Sequence, residues 1–319
     1  MSEAAGGHAR VLLVGAGSMG ANHARLVAAS PRCRLVHVSD PELAAAQRVA
    51  SLYGAKASRE LPDAKGFDVA IVASPTDTHL AVGGCLLSRG IPTLVEKPLA
   101  TTLTDVAELL AAGSGTPLMC GFVERFNPVV ATAKQFLEDS IVHIRTQRQS
   151  PPPGRYSSNA IWDLLIHDLD LVLGCFPKVE ARTVVAVGLR DAKTGSLESV
   201  EASFEIGSAV ASTMCSRVWQ RKVRAVQIAT TSALLELDLM RQTLTIYRSI
   251  SHELYVHGTS TYRSATTVDV PFVAHAGEPL ALELEHFLDL ARGDADAGSE
   301  RASILPPHTM AQAIEQLCA

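Results

Sequence analysis

Val11-Leu12-Leu13-Val14-Gly15-Ala16-Gly17-Ser18-Met19-Gly20 runs from four apolar residues straight into glycines spaced Gly-x-Gly-x-x-Gly, and Ser18 to Ala29 continues with helical patterning. A buried strand, a glycine turn and a helix in direct succession form the start of a βαβ unit that binds a dinucleotide. Gly15 permits the tight turn, Gly17 lets the backbone approach a pyrophosphate, and Gly20 lets helix pack closely on strand. The helix N-terminus at Ser18 and Met19 adds free amides and the positive end of the helix dipole. Asp40 follows Gly20 by twenty positions, just after the apolar run Leu35-Val36-His37-Val38. A carboxylate there accepts hydrogen bonds from the ribose hydroxyls and repels a 2'-phosphate. Ser39, Pro41 and Glu42 beside it carry no positive charge, so the pattern favours NAD, with NADP the lesser choice. Asp40 also suits an N-cap before Pro41, and one carboxylate can serve both roles.

From this turn outward, residues 10–121 alternate strand-sized apolar runs with helical patterns. Asp68 to Ala73, Thr93 to Glu96 and Pro117 to Cys120 read as strands; Pro41 to Leu52, Thr78 to Ser88 and Leu103 to Ala112 read as helices. Such alternation predicts a parallel sheet covered on both faces. Beyond Phe126 the rhythm changes. A helix over Pro128 to Glu138, a strand over Val142 to Gln147 and an apolar helix over Ala160 to Gly174 precede strands ending near Arg248. Helices over Glu278 to Ala291 and Pro307 to Leu317 close the chain. Strands in a row without helices between them predict an antiparallel sheet. The expected fold class is α/β: a Rossmann parallel sheet over residues 8–121, then an α+β domain over residues 122–319 with a large, mostly antiparallel sheet.

Composition narrows the function classes. At 319 residues, 47% hydrophobic and 19% charged, the chain is long enough for two cores and too apolar for disorder. Its net charge of -5 and the lack of a sustained basic run argue against a nucleic-acid partner. Arg217, Arg221, Lys222 and Arg224 read as solvated positions on a strand and its turn. No apolar run reaches the ~18 residues of a membrane span, and Met1 to Gly7 lacks the basic start and apolar core of a signal peptide. Cys33, Cys85, Cys120, Cys175, Cys215 and Cys318 form no Cys-x-x-Cys pair, so they read as free thiols in a reducing cytoplasm, and no metal site is expected.

Two further stretches carry chemistry. Glu96-Lys97-Pro98 ends a strand on the side of the sheet where ligands gather. An ammonium there can polarise a substrate oxygen as hydride leaves carbon, although a solvated Lys before a helix is the plainer reading. Asp163 and His167 lie four apart on the helix Ala160 to Gly174 and share a face, which Asp170 continues. A histidine suits removal of a hydroxyl proton near neutrality, and Asp163 can orient the substrate or the imidazole. A polar stripe making hydrogen bonds within the fold accounts for the same spacing.

Taken together, the glycine turn, Ser74-Pro75-Thr76-Asp77-Thr78-His79, Glu96-Lys97-Pro98 and Trp162 to Asp170 resemble the Gfo/Idh/MocA oxidoreductases over nearly the whole chain, from about Val11 to Leu317. The resemblance implies that Gly15, Gly17, Ser18, Met19, Gly20, Asp40, Ser74, Thr76, His79, Glu96 and Lys97 border the NAD, and that Lys97, Asp163 and His167 are catalytic. It also implies an open C-terminal sheet that assembles a homodimer or homotetramer. Leu165 stands where many members have Gly. Gly121 to Pro128, with Asp163 to Asp170, look like the subgroup of nucleotide-sugar 3-dehydrogenases such as those acting on UDP-N-acetylglucosamine. Arg125, Asn127, Arg148 and Arg155 are then candidates to meet the substrate, with ordinary surface charge the competing account of each arginine. The expected activity is NAD-dependent oxidation of a secondary hydroxyl of a sugar or nucleotide sugar to a ketone. An inositol or sugar-phosphate substrate, a non-catalytic NAD(P)-sensing protein and a reductase of a non-sugar ring are the alternatives.

Overall fold

The computed structural model describes residues 8–63, 65–137, 140–152, 158–176, 179–256, 259–274 and 277–319. The chain divides into two compact units, Met1–Val123 with Glu278–Gln312, and Glu124–Gly277 with Ala313–Ala319.

The first unit begins with β1 (Ala9–Val14), α1 (Ser18–Ala29), β2 (Cys33–Ser39), α2 (Leu43–Leu52), β3 (Lys56–Ser58) and β4 (Val69–Val72). It continues with α3 (His79–Ser88), β5 (Thr93–Glu96), α4 (Leu103–Ala111) and β6 (Leu118–Gly121). The six strands lie in the order β3-β2-β1-β4-β5-β6, and every pair is parallel. Every residue of β4, β5 and β6 is buried, which explains why they do not alternate apolar with polar; Thr93 and Glu96 are the buried polar exceptions in β5. The order reverses between β1 and β4, and ligands of open α/β sheets collect at the carboxyl ends of such strands. The glycine turn lies at that end of β1, and Glu96 and Lys97 at that end of β5.

The second unit contains α5 (Pro128–Lys134), β7 (Ile141–Gln149) and a helix that starts as a π turn, Ile161–Leu165, and continues as α6 (Ile166–Gly174). Seven strands follow: β8 (Ala181–Arg190), β9 (Leu197–Ile206), β10 (Ala209–Ser216), β11 (Val223–Thr230), β12 (Leu234–Asp238), β13 (Thr243–Val256) and β14 (Thr259–Asp269). They form with β7 an eight-stranded sheet, β14-β13-β12-β11-β7-β10-β9-β8, antiparallel except between β7 and β10. β13 runs beyond the Arg248 expected from sequence, and β14 was not expected at all. β12 pairs with β13 only over Thr243 to Tyr247, and the rest of β13 pairs with β14 alone. Ser264 to Val270 are exposed throughout, so this ribbon lacks the alternation that marks a half-buried strand.

Three helices close the chain: α7 (Pro279–Arg292), α8 (Ala297–Ala302) and α9 (Leu305–Leu317). Sequence order assigns them to the second domain, but residues Glu278–Gln312 pack with the first. Arg32 reaches Glu285 at 2.8 Å and Asp289 at 2.6 Å on α7. Arg301 donates to the carbonyl of Thr116 at 2.6 Å, and His308 Nε2 accepts the Leu99 amide at 2.9 Å. None of the described helices is long and apolar enough to cross a membrane.

Arg148 on β7 is fully buried and joins two carboxylates of its own unit. Its Nη1 donates to Glu124 at 3.0 Å and its Nε to Asp168 at 2.9 Å, with Arg224 reaching Glu124 at 3.1 Å. Burial pushes the Glu124 carboxyl up, but the charges of Arg148 and Arg224 outweigh it and hold the group below its ordinary value. Burial pushes Asp168 up, and Arg148 offsets only part of that. Glu124 therefore contributes stability that is present above the ordinary carboxylate pKa and lost as pH falls through its depressed value. Removing the guanidinium strands two buried carboxylates, which costs about 3–5 kcal/mol. R148M is expected to lose that much at pH 7 in urea unfolding, with the deficit narrowing toward pH 4 as both carboxyls take up protons; a deficit independent of pH contradicts this network.

Candidate active site

In the first unit the glycine turn is fixed by steric limits. Gly15 has φ +97°, and a Cβ there would lie 2.5 Å from the Ala73 carbonyl oxygen. A Cβ on Gly20 would lie 2.0 Å from the Gly15 oxygen, so any side chain would push α1 off the turn. A Cβ on Gly17 meets nothing within 4 Å, and Gly17, Ser18 and Met19 are exposed. The N-terminus of α1 has no side-chain cap and no acidic residue in its first turn, so its amides face open space. That arrangement fits a pyrophosphate.

Asp40 serves the turn directly. Its Oδ2 accepts the Ala16 amide at 2.7 Å, and its Oδ1 accepts the Glu42 amide at 2.8 Å. The N-cap of α2 is Glu42 and not Asp40, yet Asp40 organises that helix entry through an Asx-type bond. Each oxygen keeps a second lone pair for a ribose hydroxyl.

Ser74 and Thr76 are half-buried at the end of β4. The Ser74 hydroxyl is 2.6 Å from that of Thr78. His79, expected to border the cofactor, is 1% exposed. Its Nε2 lies 2.9 Å from the Ser74 carbonyl and its Nδ1 3.1 Å from the Pro98 carbonyl, and a nitrogen that carries a proton donates to the carbonyl it faces. Lys97 is half-buried and precedes a cis proline. Glu96 is buried, with Oε1 2.7 Å from His23 Nε2 and Oε2 accepting the Lys97 amide at 3.3 Å. His23 was not singled out in the sequence. Its only local signal is an imidazole on the buried face of α1, where spacing calls for an apolar residue.

In the second unit Asn159 starts the helix that carries Asp163 and His167. Its Oδ1 accepts the amides of Ile161 at 3.0 Å and Trp162 at 3.3 Å. Glu315 accepts from the Trp162 indole at 3.0 Å. The π turn Ile161–Leu165 contains Asp163 and ends one residue before α6, whose second residue is His167. Single π turns recur at functional sites because they rotate side chains away from the α-helical register. Asp163 is half-buried and His167 is 9% exposed. Leu165 is fully buried, so a large apolar side chain is accommodated there.

Of the arginines expected near substrate, Arg125 and Arg148 each pair with carboxylates of their own unit. Arg148 is buried in the network above, so its charge is spent on Glu124 and Asp168. Arg125 makes a two-pronged pair with Asp170, its Nε donating to Oδ2 at 2.8 Å. Asn127 is 2% exposed; it caps α5 through the Val129 amide and donates to the Leu239 carbonyl at 2.9 Å. Arg155 lies outside the described residues. All six cysteines are free, and burial pushes the Cys215 thiol far up, away from nucleophilic use.

Residues 9–122 match the family described as the oxidoreductase family with an NAD-binding Rossmann fold, Gfo/Idh/MocA. That match lies within the first unit. An inositol 2-dehydrogenase of Saccharopolyspora erythraea is 34% identical over 176 residues, 50% of this chain and 52% of that protein. The first inositol dehydrogenases found are thus matched over only about half to two thirds of their length. A UDP-N-acetylglucosamine 3-dehydrogenase of Acidithiobacillus ferrooxidans is 28% identical over 88% of both chains. A solved structure of the A. ferrooxidans UDP-N-acetylglucosamine 3-dehydrogenase GnnA superposes with a TM-score of 0.83 at 25% identity, covering 98% of this chain and 97% of that one. A levoglucosan dehydrogenase in complex with NADH and levoglucosan shares the fold, with a TM-score of 0.79 at 19% identity over 98% and 97% of the two chains.

Asp40→Ala removes the acceptor for both the Ala16 and Glu42 amides, each bond to a charged group being worth about 1.5–3 kcal/mol. NADH affinity, read by nicotinamide fluorescence, is expected to fall about tenfold or more and by more than NADPH affinity, because the variant also loses the charge that repels a 2'-phosphate. Unchanged discrimination between the two contradicts the assignment.

Proposed function

We propose that this chain is an NAD-dependent dehydrogenase that reversibly oxidises a secondary hydroxyl of a sugar or nucleotide sugar to a ketone. The observation that carries the chemistry is the π-widened turn that presents Asp163 and His167 at the start of α6. Bound NAD supplies the hydride acceptor at its nicotinamide C4. Lys97, at the carboxyl end of β5, polarises the reacting oxygen, and His167 takes the hydroxyl proton. Asp163 orients the substrate and the imidazole. Loss of all three would leave only a sensor of the dinucleotide, and all three are present.

A nucleotide sugar is favoured because the likeness to the UDP-N-acetylglucosamine 3-dehydrogenase extends over both units. An inositol is the second reading, supported by the higher identity of the inositol dehydrogenases over a shorter span. The same reading gives a homodimer or homotetramer assembled through the eight-stranded sheet. Its edge strand β8 exposes Val185, Val187 and Leu189, each more than half accessible. Six unpaired cysteines support a reducing, cytoplasmic setting.

Lys97→Ala is expected to abolish NADH formation from UDP-N-acetylglucosamine or myo-inositol, followed by absorbance, while the Kd for NADH stays within about threefold. His167→Ala is expected to lower kcat by about 10²–10⁴, the usual contribution of a general base. Full turnover by the Lys97 variant overturns the reading.

A further inference from the structure

Three side chains from three separate elements meet inside the first unit, next to Lys97. His23 lies on α1, three residues past Gly20; Glu96 is the last residue of β5; Glu283 lies on α7. Their exposures are 1%, 8% and 0%, and their nitrogen and oxygen atoms all fall within 4.8 Å of one another. Such a grouping invites a metal ion, but its geometry favours a hydrogen bond. Two ligands sharing an ion at ~2.1 Å stand ~3 Å apart at the closest. His23 Nε2 and Glu96 Oε1 are 2.7 Å apart.

The ring's other nitrogen fixes the tautomer. His23 Nδ1 is buried and has no hydrogen-bond partner among the described residues. A proton on Nδ1 would be a buried donor without an acceptor, which costs about 1–3 kcal/mol. The geometry therefore places the proton on Nε2, which donates to Glu96. The other carboxylate oxygen, Oε2, accepts the backbone amide of Lys97.

We infer that His23 is a positioning residue for Lys97, acting through the Glu96 carboxylate that it holds by its Nε2–H. This inference rests on the role given to Lys97 above. Two structural details support it. Gly121 pairs with Glu96 across β5 and β6, and a Cβ on Gly121 would lie 3.1 Å from Glu96 Oε2, so the neighbouring strand leaves a slot for the carboxylate. On the far side of Lys97, the buried His79 ring lies with its Nδ1 3.1 Å from the Pro98 carbonyl. The lysine is thus bracketed by two buried imidazoles, one through Glu96 and one through Pro98. Because His23 rides on α1, a single hydrogen bond also ties the helix of the glycine turn to the strand that ends in the lysine.

The test compares H23L, which fills the space without a donor, with H23Q, whose amide nitrogen reaches the place of Nε2, and uses K97A as a reference. Long-range ¹H–¹⁵N NMR of the full chain labelled at histidine, with the His23 signal assigned by its loss in H23Q, is expected to show the Nε2–H tautomer. H23L is expected to lose about 10–100-fold in kcat on whichever of UDP-N-acetylglucosamine or myo-inositol the wild type oxidises, the scale of a small misplacement of a catalytic group. Its Kd for NADH is expected to stay within about threefold, and its deuterium isotope effect on kcat to rise. H23Q is expected to recover kcat to within about threefold of wild type. A crystal structure of H23L is expected to show the Glu96 carboxylate turned away from the Lys97 amide. An Nδ1–H tautomer, equal losses in H23L and H23Q, or an unmoved Glu96 overturns the inference. K97A separates the two failures: turnover by K97A overturns the role of Lys97 itself, whereas an inactive K97A beside a fully active H23L overturns only the positioning role.

Discussion

The absence of a Cβ at Gly20 is the constraint on which the first unit depends. With 2.0 Å between its ideal Cβ position and the Gly15 oxygen, only glycine lets α1 begin directly on the turn that ends β1. That close approach aims the uncapped amides of α1 into open space and brings the Asp40 carboxylate to the Ala16 amide. It also brings His23, one helical turn further on, down to Glu96 at the end of β5. One steric fact thus places the uncapped amides of α1, the Asp40 carboxylate and the strand that ends at Lys97 in a single frame.

The second unit solves a different problem, the placement of charge inside a sheet-and-helix core. Arg148, Arg217, Glu124, Asp168 and Glu198 are all buried, and each arginine meets a carboxylate. Arg217 grips Glu198 with two nitrogens at 2.8 and 2.9 Å. Pairs of this kind contribute little net stability compared with apolar packing, yet removing one partner is costly, so they fix which arrangement forms. Here the arrangement they fix is that of α6 against β7, because Asp168 follows His167 directly and is held by Arg148.

Much of this was legible in the chain. Strands such as Val11 to Val14 and Val69 to Val72 are buried on both faces and read as unbroken apolar runs, and the turn signals between them are strong. Asp40, Lys97 and the Asp163–His167 pair stand at element ends, where sequence alone places them well. Other features depend on neighbours distant in sequence. The return of α7 to the first unit rests on Arg32 pairing with Glu285 and Asp289, residues more than 250 positions away. Arg125, Arg148 and His79 look like ligand-facing groups until their partners Asp170, Asp168 and the Ser74 and Pro98 carbonyls are known. The end of β14 escapes a reading by periodicity because Ser264 to Asp269, exposed throughout, have no pattern to show.

The central claim is hydride transfer from a sugar-ring carbon to NAD. Incubating the protein with NAD and either UDP-N-acetylglucosamine or myo-inositol deuterated at its ring carbons, then locating the label by mass spectrometry and NMR, tests it directly. Deuterium at nicotinamide C4, with a matching ring ketone in the product, is the predicted result. A protein that binds NAD and both compounds but leaves the label in the ring would contradict the account.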